Sequence, residues 1–328
     1  MKHRHSRSLR MILSSCCVLA LLATTPHAQS REKKDDQIIA CSLGGEMVLL
    51  PVTVTGGDGL PVTDLIHTDF VVFDKGQLQE ITFFNREDAP LSVGILIDMP
   101  ALALDKDKKR LAAISAGIAD LVKQGNPANE YFLLGFDSAP RLMTGWATGS
   151  EPLLDALNKV AGRKPAAATA LFDACDAALE KMAGRNSRGA FLLFSDGQDN
   201  QSQSDYGAFR ERVERSSARI YAIRLARAAD HAAPSGASIL GDLARITGGE
   251  SYSLSEPATI SGTLQRIAYE LRHQYLIGYY PSAFQRNGEW HAVKIKVIPP
   301  PSPMNAGGKP SRLAARTRKG WYAAPSSR

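Results

Sequence analysis

Residues 92–105, SVGILIDMPALALD, combine a continuous apolar run with a carboxylate at its end. A continuous apolar run of this kind predicts a strand that is covered on both faces; its apolar positions are Val93, Ile95, Leu96 and Ile97. The strand ends on a carboxylate, Asp98, and ligands of open α/β sheets bind beyond the carboxyl ends of the strands. The next four residues, MPAL at 99–102, offer no hydroxyl, amide or glycine to assist that carboxylate. The stretch therefore predicts a buried α/β sheet and leaves open what Asp98 does.

Strands and helices alternate over residues 91–274. Further apolar runs occur in EYFLLGF, GAFLLFSD and RIYAIRL, and segments with helical periodicity separate them. This alternation predicts a doubly wound, mostly parallel sheet with helices on both faces.

The flanks of this region, residues 47–90 and 275–323, are β-rich. The N-terminal flank contains FVVFDKGQLQEITFF, which predicts two strands joined at Lys75 and Gly76. The C-terminal flank contains QYLIGYYP, WHAVKIKVI and RLAARTRKGWYA. We expect both flanks to form one small β-sandwich-like module into which the α/β domain, residues 91–274, is inserted. Residues 29–46 are then a linker and residues 324–328 a tail.

Residues 1–28 have the order of a secretory signal peptide: a basic start, an apolar run and a small polar end. The apolar run is too short for a permanent membrane span, which predicts cleavage after Ala28 and a protein that is periplasmic or secreted. An uncut signal anchor is the alternative. After cleavage we expect no stable membrane span.

The charge of the mature chain argues against nucleic-acid binding. The whole chain carries 39 basic and 33 acidic residues, and residues 1–28 remove four basic residues and no acidic one, leaving a net charge of +2. The remaining basic cluster predicts an exposed strand face; it comprises Lys309, Arg312, Arg316, Arg318 and Lys319.

Two cysteines remain in the mature chain, Cys41 and Cys175. Cys175 lies at an apolar position of a predicted helix, which favours a buried core thiol. A Cys41–Cys175 disulfide is the alternative in an oxidising compartment.

Two predicted strands end in aspartate, at Asp98 and Asp196, and Thr169 lies just ahead of a helix, where its hydroxyl could also be an N-cap. Two carboxylates and a hydroxyl at one sheet edge form an oxygen-only ligand set. Such a set suits Mg²⁺ or Mn²⁺.

This arrangement resembles the metal-ion-dependent adhesion site of von Willebrand factor type A (VWA) domains. That site has a strand followed by D-x-S-x-S, a threonine before a helix and a later strand that ends in S-D-G. Several further segments, among them LLPVTVTGGDGLPVTDL, TALFDA, LLFSDGQDN, TGGESY and IAYELRHQYLIGYYP, resemble in this order the VWFA-related proteins of secreted bacterial type. The resemblance covers roughly residues 47–323. It implies a VWA fold and a binding role without known catalysis.

The resemblance also implies a degenerate metal site. Asp98, Thr169 and Asp196 match three ligand positions, but the two serines fall on Pro100 and Leu102, whose side chains cannot coordinate a metal. Mg²⁺ needs about six oxygens, so metal binding is expected to be weak or lost. Without a metal, the two aspartates repel unless one takes up a proton or both find donors. In that alternative Asp98 hydrogen-bonds its own loop.

The function expected from the sequence is therefore an exported, non-enzymatic VWA protein that mediates protein–protein binding or adhesion. Met99, Leu102 and Leu104 would form an apolar contact surface above the sheet edge. Two alternatives stay open: a scaffold or assembly subunit that uses another surface, and a metal-dependent hydrolase that uses Asp98 and Asp196. The sequence does not identify the protein partner.

Overall fold

The structure is a computed structural model that describes residues 38–39, 46–86, 88–103, 109–160, 166, 168–185, 188–225, 234–298 and 313–324. The described residues from Ile38 onward belong to one compact unit. Its strands are β1 (Ile38–Ile39), β2 (Val48–Thr55), β3 (Phe70–Asp74), β4 (Gln77–Gln79), β5 (Phe83–Asn85), β6 (Leu91–Asp98), β7 (Glu130–Phe136), β8 (Pro140–Ala147), β9 (Arg188–Ser195), β10 (Arg219–Leu225), β11 (Ser251–Leu254), β12 (Tyr275–Tyr279), β13 (Trp290–Val297), β14 (Ala314–Arg316) and β15 (Gly320–Tyr322). Its α-helices are α1 (Met99–Ala103), α2 (Lys109–Gln124), α3 (Glu151–Val160), α4 (Leu171–Met182), α5 (Tyr206–Arg215), α6 (Pro234–Thr247) and α7 (Ala258–Arg272).

The central sheet has six strands in the order β11-β10-β9-β6-β7-β8. Five of them are parallel, and β8 is antiparallel to β7. Numbered along the chain within this sheet, the strands follow the order 3-2-1-4-5-6 of doubly wound folds, with the third strand reversed. The predicted mostly parallel, doubly wound sheet is confirmed.

The sequence did not predict the reversed edge strand β8. Its residues, PRLMTGWA, contain a proline and a glycine, and none of the described side chains in this strand is fully buried. A half-exposed edge strand lacks the continuous apolar run that marks β6 and β9, so the pattern did not indicate it.

Strand β6 is buried along its whole length and separates two hydrophobic cores. Val93, Ile95 and Ile97 face a core that includes side chains of α2, α3 and α7. Leu96 faces the opposite core, which includes side chains of α4, α5 and α6. Cys175 of α4 lies in this second core as a free, buried thiol, whereas Cys41 lies outside the described residues.

The two flanks form a pair of antiparallel sheets, which confirms the predicted β-sandwich-like module. One sheet has the order β1-β5-β12-β2-β14 and the other β15-β13-β3-β4, so each contains strands from both flanks. Their facing side chains form a third core, with Leu50, Phe84 and Ile277 from one sheet and Val72 and Val293 from the other. The predicted hairpin is present as β3 and β4. Its turn residues, Lys75 and Gly76, both have positive φ, at 48° and 80°, as a tight type I′ hairpin turn requires.

A buried carboxylate joins the β module to the central domain. Glu270 of α7 is 1% exposed and accepts three hydrogen bonds, from Thr53 Oγ1 (3.1 Å), Tyr221 Oη (2.6 Å) and Arg316 Nη2 (2.7 Å). These donors come from β2, β10 and β14. Burial and the Glu270 carboxylate raise the pKa of Tyr221 well above its ordinary value, so its hydroxyl stays a donor.

The expectation that the C-terminal arginines form an exposed face is wrong for Arg316 and Arg318. Arg316 pairs with buried Glu270, and Arg318 donates to the backbone carbonyls of Gly320 and Glu214. Both side chains are partly buried, because partners far away in sequence replace the water that such a cluster would otherwise bind.

None of the helices in the described ranges is both long and apolar enough to cross a membrane. The predicted signal peptide, residues 1–28, lies outside those ranges.

The first prediction compares two carboxylates that share Arg316. Glu270→Ala leaves the hydroxyls of Tyr221 and Thr53 without their acceptor and removes the buried partner of Arg316, so we expect a loss of about 3–5 kcal/mol in unfolding free energy. Glu250, which is about half exposed and lies 3.3 Å from Arg316 Nε, is the matched control. Glu250→Ala should cost at most about 1 kcal/mol. Urea unfolding of both variants measures the difference, and equal losses would contradict the role given to Glu270.

Candidate functional site

Asp98 is the last residue of β6 and is 1% exposed. Its Oδ1 accepts a hydrogen bond from the backbone N–H of Ala101 (3.0 Å), which caps the first turn of α1. Its Oδ2 accepts from the hydroxyl of Ser195 (2.6 Å), the last residue of neighbouring β9. Asp98 therefore orders its own loop and connects two strand ends, which is the alternative that the sequence left open.

Burial raises the pKa of Asp98 from 3.8 to about 6, and the nearby Asp196 carboxylate adds to this rise. The hydrogen bonds from Ser195 and Ala101 favour the charged form and limit the shift. The carboxyl group thus titrates near neutral pH at the centre of the sheet edge.

Asp196 follows β9 and is turned to its own loop. Its Oδ1 accepts from the backbone N–H of Gln198 (2.9 Å), and the next residue, Gly197, has a φ of 85°. A Cβ at Gly197 would lie 2.2 Å from the carbonyl oxygen of Gly236 in α6, so only glycine fits at this turn. The N–H of Gly197 donates to Ser195 Oγ (3.0 Å), so the Ser195 hydroxyl both donates and accepts a hydrogen bond.

Thr169 is buried and lies two residues before α4, but it does not cap this helix. The N-cap residue is Ala170, and no side chain bonds from that position. Thr169 bonds through its backbone instead: its N–H donates to Asn200 Oδ1 (2.8 Å), and its carbonyl accepts from the Asn200 N–H (3.0 Å). The predicted N-cap role of Thr169 is therefore wrong.

The cap of α4 comes from the loop after β9. The backbone N–H of Phe172 donates to Asp199 Oδ2 (3.0 Å), and that of Asp173 donates to Ser202 Oγ (3.1 Å). Sequence reasoning missed these residues because they lie about 30 positions from the helix start. The one available signal was the polar segment DGQDN at residues 196–200.

A third carboxylate at this edge was also missed. Asp137 directly follows β7, in EYFLLGFD, with the same pattern as Asp98 and Asp196. Burial acts to raise its pKa, but the N–H of Ala166 and the guanidinium of Arg141 outweigh that effect and hold the pKa below its ordinary value.

The predicted apolar contact surface is not formed by Leu102. This residue is 9% exposed and belongs to the core between the sheet and α2, because the short helix α1 turns it inward. The expectation for Leu102 is wrong. Met99 is half-buried against the same core, and Leu104 lies outside the described residues.

The donor set does not fit a tightly bound Mg²⁺ or Mn²⁺ ion. Both oxygens of Asp98 are engaged by protein donors, and Pro100 and Leu102 supply no ligand atoms. The part of the chain that the structure describes contains no group of three or more His, Cys, Asp or Glu side chains that could hold a metal. The roles of Asp98, Thr169 and Asp196 as weak metal ligands stay a prediction.

The central domain has a VWA-type fold, as its strand order and reversed edge strand indicate. Among solved structures, the chain is similar to a von Willebrand factor type A protein from Catenulispora acidiphila, with 10% identity, a TM-score of 0.46 and coverage of 86% of this chain and 75% of that one. It is also similar to proximal thread matrix protein 1 from the mussel byssus (14% identity, TM-score 0.45, 60% of this chain and 50% of that one). A further similar structure is the PilB minor pilin from Streptococcus sanguinis (12% identity, TM-score 0.44, coverage of 58% of this chain and 62% of that one).

The match thus spans less than two thirds of the mussel and pilin chains, and at these identities the likeness concerns the fold alone. No family model and no curated protein matches the sequence.

The second prediction concerns pH. Since the pKa of Asp98 is raised by folding, the folded state holds a proton between about pH 4 and pH 6 that the unfolded state releases. The stability from this group is complete below about pH 4 and is lost as the pH rises through about 6. A shift of about two units corresponds to about 3 kcal/mol. Asp98→Asn keeps the acceptor for Ala101 but does not titrate. Its unfolding free energy relative to the wild type should therefore rise by about 2–3 kcal/mol as the pH rises from 4 to 8.

Urea unfolding in EDTA across this pH range measures the effect. Asp137→Asn is the control with the opposite sign: its depressed pKa contributes stability that is present at neutral pH and is lost on acidification. If the difference in unfolding free energy between the wild type and Asp98→Asn stays constant with pH, the raised pKa assigned to Asp98 is refuted.

The third prediction concerns the cap of α4. Asp199→Ala should destabilise the protein by about 1–2 kcal/mol, because it removes the acceptor of a first-turn amide. Thr169→Val is the matched control. The Thr169 hydroxyl makes no hydrogen bond among the described residues, so removing this hydroxyl should change the stability of the protein little. Thermal unfolding of both variants distinguishes the two roles, and a larger loss for Thr169→Val would contradict the cap.

Proposed function

We propose that this chain is an exported, non-enzymatic VWA protein that binds another protein without a metal ion. Its binding surface would be the edge loops, defined as residues 137–139 and 198–204 at the carboxyl end of the central sheet. The burial of Asp98 carries this proposal: the carboxylate is 1% exposed and bonded to Ala101 and Ser195 within the protein, so it is poorly placed to share an ion with a partner. Recognition then depends on the loops themselves.

The edge loops are well ordered by hydrogen bonds within the protein. Asn200 makes two bonds to the backbone of Thr169, and Asp199 and Ser202 are held by the N-terminus of α4. Gln203 donates through its backbone to the Asp173 carboxylate. A surface that is ordered before binding loses less conformational entropy when a partner docks.

Several side chains of the edge loops remain exposed above this framework: Ser138, Ala139, Asn200, Gln201 and Gln203. Most of them are neutral and polar, and they can donate and accept hydrogen bonds at a protein interface. This composition supports a protein partner over a highly charged polymer.

The chemistry of the sheet edge argues against the hydrolase alternative. Ser195 is the hydroxyl next to Asp98, but it is fully buried and donates its proton to that carboxylate. Asp98 itself is inaccessible, so of the two carboxylates of that alternative only the partly exposed Asp196 could reach a substrate. Export is supported by the sequence of residues 1–28.

The scaffold alternative has one observation in its favour. Leu78 is 66% exposed on β4, an edge strand of the four-stranded sheet. An edge strand has backbone groups that can pair with a strand of another chain. Assembly through β4 would leave the edge loops unused.

The fourth prediction is that the EDTA-treated chain from residue 29 onward binds neither Mg²⁺ nor Mn²⁺ saturably in calorimetric titration, with no thermal stabilisation. The reason is that Asp98 is 1% exposed and that Pro100 and Leu102 supply no side-chain oxygen, so too few protein ligands replace the water of the ion. Asp196→Ala is the control. Saturable binding that Asp196→Ala abolishes would refute metal independence.

Partner binding is tested with the same immobilised chain and an envelope extract of the source cells. Three forms are compared, each with EDTA and with Mg²⁺: wild type, a Gln201→Arg/Gln203→Arg variant of the edge loops, and Leu78→Lys. The proposal expects a partner that binds wild type and Leu78→Lys equally, is insensitive to EDTA and is lost in the loop variant. Loss only in Leu78→Lys would support the scaffold alternative instead.

A further inference from the structure

A concave site lies at the amino end of the central sheet, opposite the edge loops. A cavity of about 260 Å³ opens between the amino ends of β6, β9 and β10 and the outer face of the sheet that contains β2 and β12. Leu91, Gly189 and Ala218 line it from the central sheet, and Leu49 and Leu276 line it from the β module. This cavity is separate from the edge loops at the carboxyl end.

Among the described residues, four arginines line the cavity and no aspartate or glutamate does: Arg185, Arg188, Arg219 and Arg318. Arg185 is neutralised by an ion pair with Glu130 (3.0 Å). In the described part of the chain, the other three have no carboxylate within ion-pair distance. Asp88 acts electrostatically on Arg188, and Glu214 on Arg318, from beyond that distance, so the three positive charges are only partly offset.

The hydrogen bonds of these three guanidinium groups go to backbone carbonyls. Arg188 Nη2 donates to Ala89 (3.5 Å), and Arg219 Nη2 donates to Pro51 (3.1 Å). Arg318 donates to Gly320 from Nε and to Glu214 from Nη2, each at 2.6 Å. Carbonyl dipoles orient the guanidinium groups but do not neutralise them.

Arg219 is the most deeply buried of these arginines. Its side chain is 5% exposed, and its Nε has no hydrogen-bond partner in the described part of the chain. Burial lowers the pKa of Arg188, and the neighbouring Arg219 lowers it further. Burial likewise lowers the pKa of Arg318. Arginine nevertheless stays protonated, so the like charges remain and an anion would relieve their repulsion.

Besides the arginines, the wall is mainly apolar and includes three polar side chains: Ser217, Thr247 and Gln274. Leu49, which is 44% exposed, lies at the mouth of the cavity, and Pro51 and Leu276 continue the same surface. The volume lies just below the roughly 300 Å³ at which pockets for drug-sized ligands begin. The ligand should therefore be small and should carry both a charged and an apolar part.

We propose that this cavity binds a small organic oxyanion, with its carboxylate or phosphate between Arg188, Arg219 and Arg318 and its apolar body against Leu49 and Leu276. Guanidinium groups match both oxyanions through charge-assisted, often bidentate hydrogen bonds. Because Arg188 and Arg219 belong to the central domain while Leu49, Leu276 and Arg318 belong to the β module, the bound ligand would contact both parts of the protein.

The test uses phenyl phosphate, benzoate, inorganic phosphate and neutral benzyl alcohol, titrated calorimetrically into the chain from residue 29 onward at low ionic strength. We expect saturable binding and a higher melting temperature for at least one of the two aromatic anions, whichever oxyanion the site prefers. Inorganic phosphate should bind at least about tenfold more weakly than phenyl phosphate, and benzyl alcohol should not bind. Absence of binding by both aromatic anions, or equal binding of benzyl alcohol, overturns the proposal.

Arg188→Gln is the key variant, because its one hydrogen bond is long and its removal disturbs the fold least. We expect at least about a tenfold loss of affinity, as for one charge-assisted hydrogen bond, with a melting temperature of the free protein that is not lower than in the wild type. Arg215→Gln is the control, since Arg215 pairs with Glu211 outside the cavity. Leu49→Trp, at the exposed mouth, should block binding while leaving every arginine in place. Unchanged affinity in Arg188→Gln or in Leu49→Trp overturns the assignment of this cavity.

Discussion

The buried carboxylate of Glu270 is the interaction on which the arrangement of the two parts depends. It receives donors from Thr53, near the start of the β module, from Tyr221 in the central sheet and from Arg316, near the end of the chain. The module is assembled from two flanks that are separated by the whole central domain, so its two sheets form only when segments distant in sequence meet. A single buried acid that needs all three donors favours the one arrangement in which they converge, because any other leaves it without compensation for the water that it lost.

The same principle governs the carboxyl edge of the central sheet, with a different outcome. Asp98 is as deeply buried as Glu270, but its donors are a neutral hydroxyl and a backbone amide, so no cation compensates its charge. The raised pKa of Asp98 is the direct consequence. Pro100 and Leu102, where the adhesion-site pattern has hydroxyls, fit this arrangement: α1 turns Leu102 into the core, and its position no longer serves a ligand. The edge is thereby closed by packing and hydrogen bonds within the protein.

Sequence reasoning predicted those parts of the fold whose pattern is local. The continuous apolar runs of β6, β9 and β10 indicate buried parallel strands, and Lys75 and Gly76 indicate a hairpin turn. It failed where the deciding partner is remote. Thr169 has the right position and chemistry for an N-cap, yet Asp199 and Ser202 take that role from about 30 residues away. Arg316 and Arg318 belong to a basic cluster that is typical of solvated surface, and nothing near them in sequence reveals Glu270 or the carbonyl of Glu214. Asp137 is different, because the strand-end pattern that marks Asp98 also marks it.

The two ends of the central sheet differ in how completely the protein satisfies its own charges. At the carboxyl end, Asp98, Asp137 and Asp196 all accept hydrogen bonds from neighbouring backbone amides or hydroxyls, and the loops that supply these donors are ordered as a result. At the amino end, Arg188, Arg219 and Arg318 donate only to carbonyl oxygens within the described ranges, and the Nε of Arg219 has no acceptor there. Both ends lie in the same compact unit and derive from the same strands, so general packing does not explain the difference. Three cations beside an open cavity, with acidic neighbours only beyond ion-pair distance, cost stability that a bound anion would offset. The proposed ligand is therefore an anion at the amino end and not a cation at the carboxyl end.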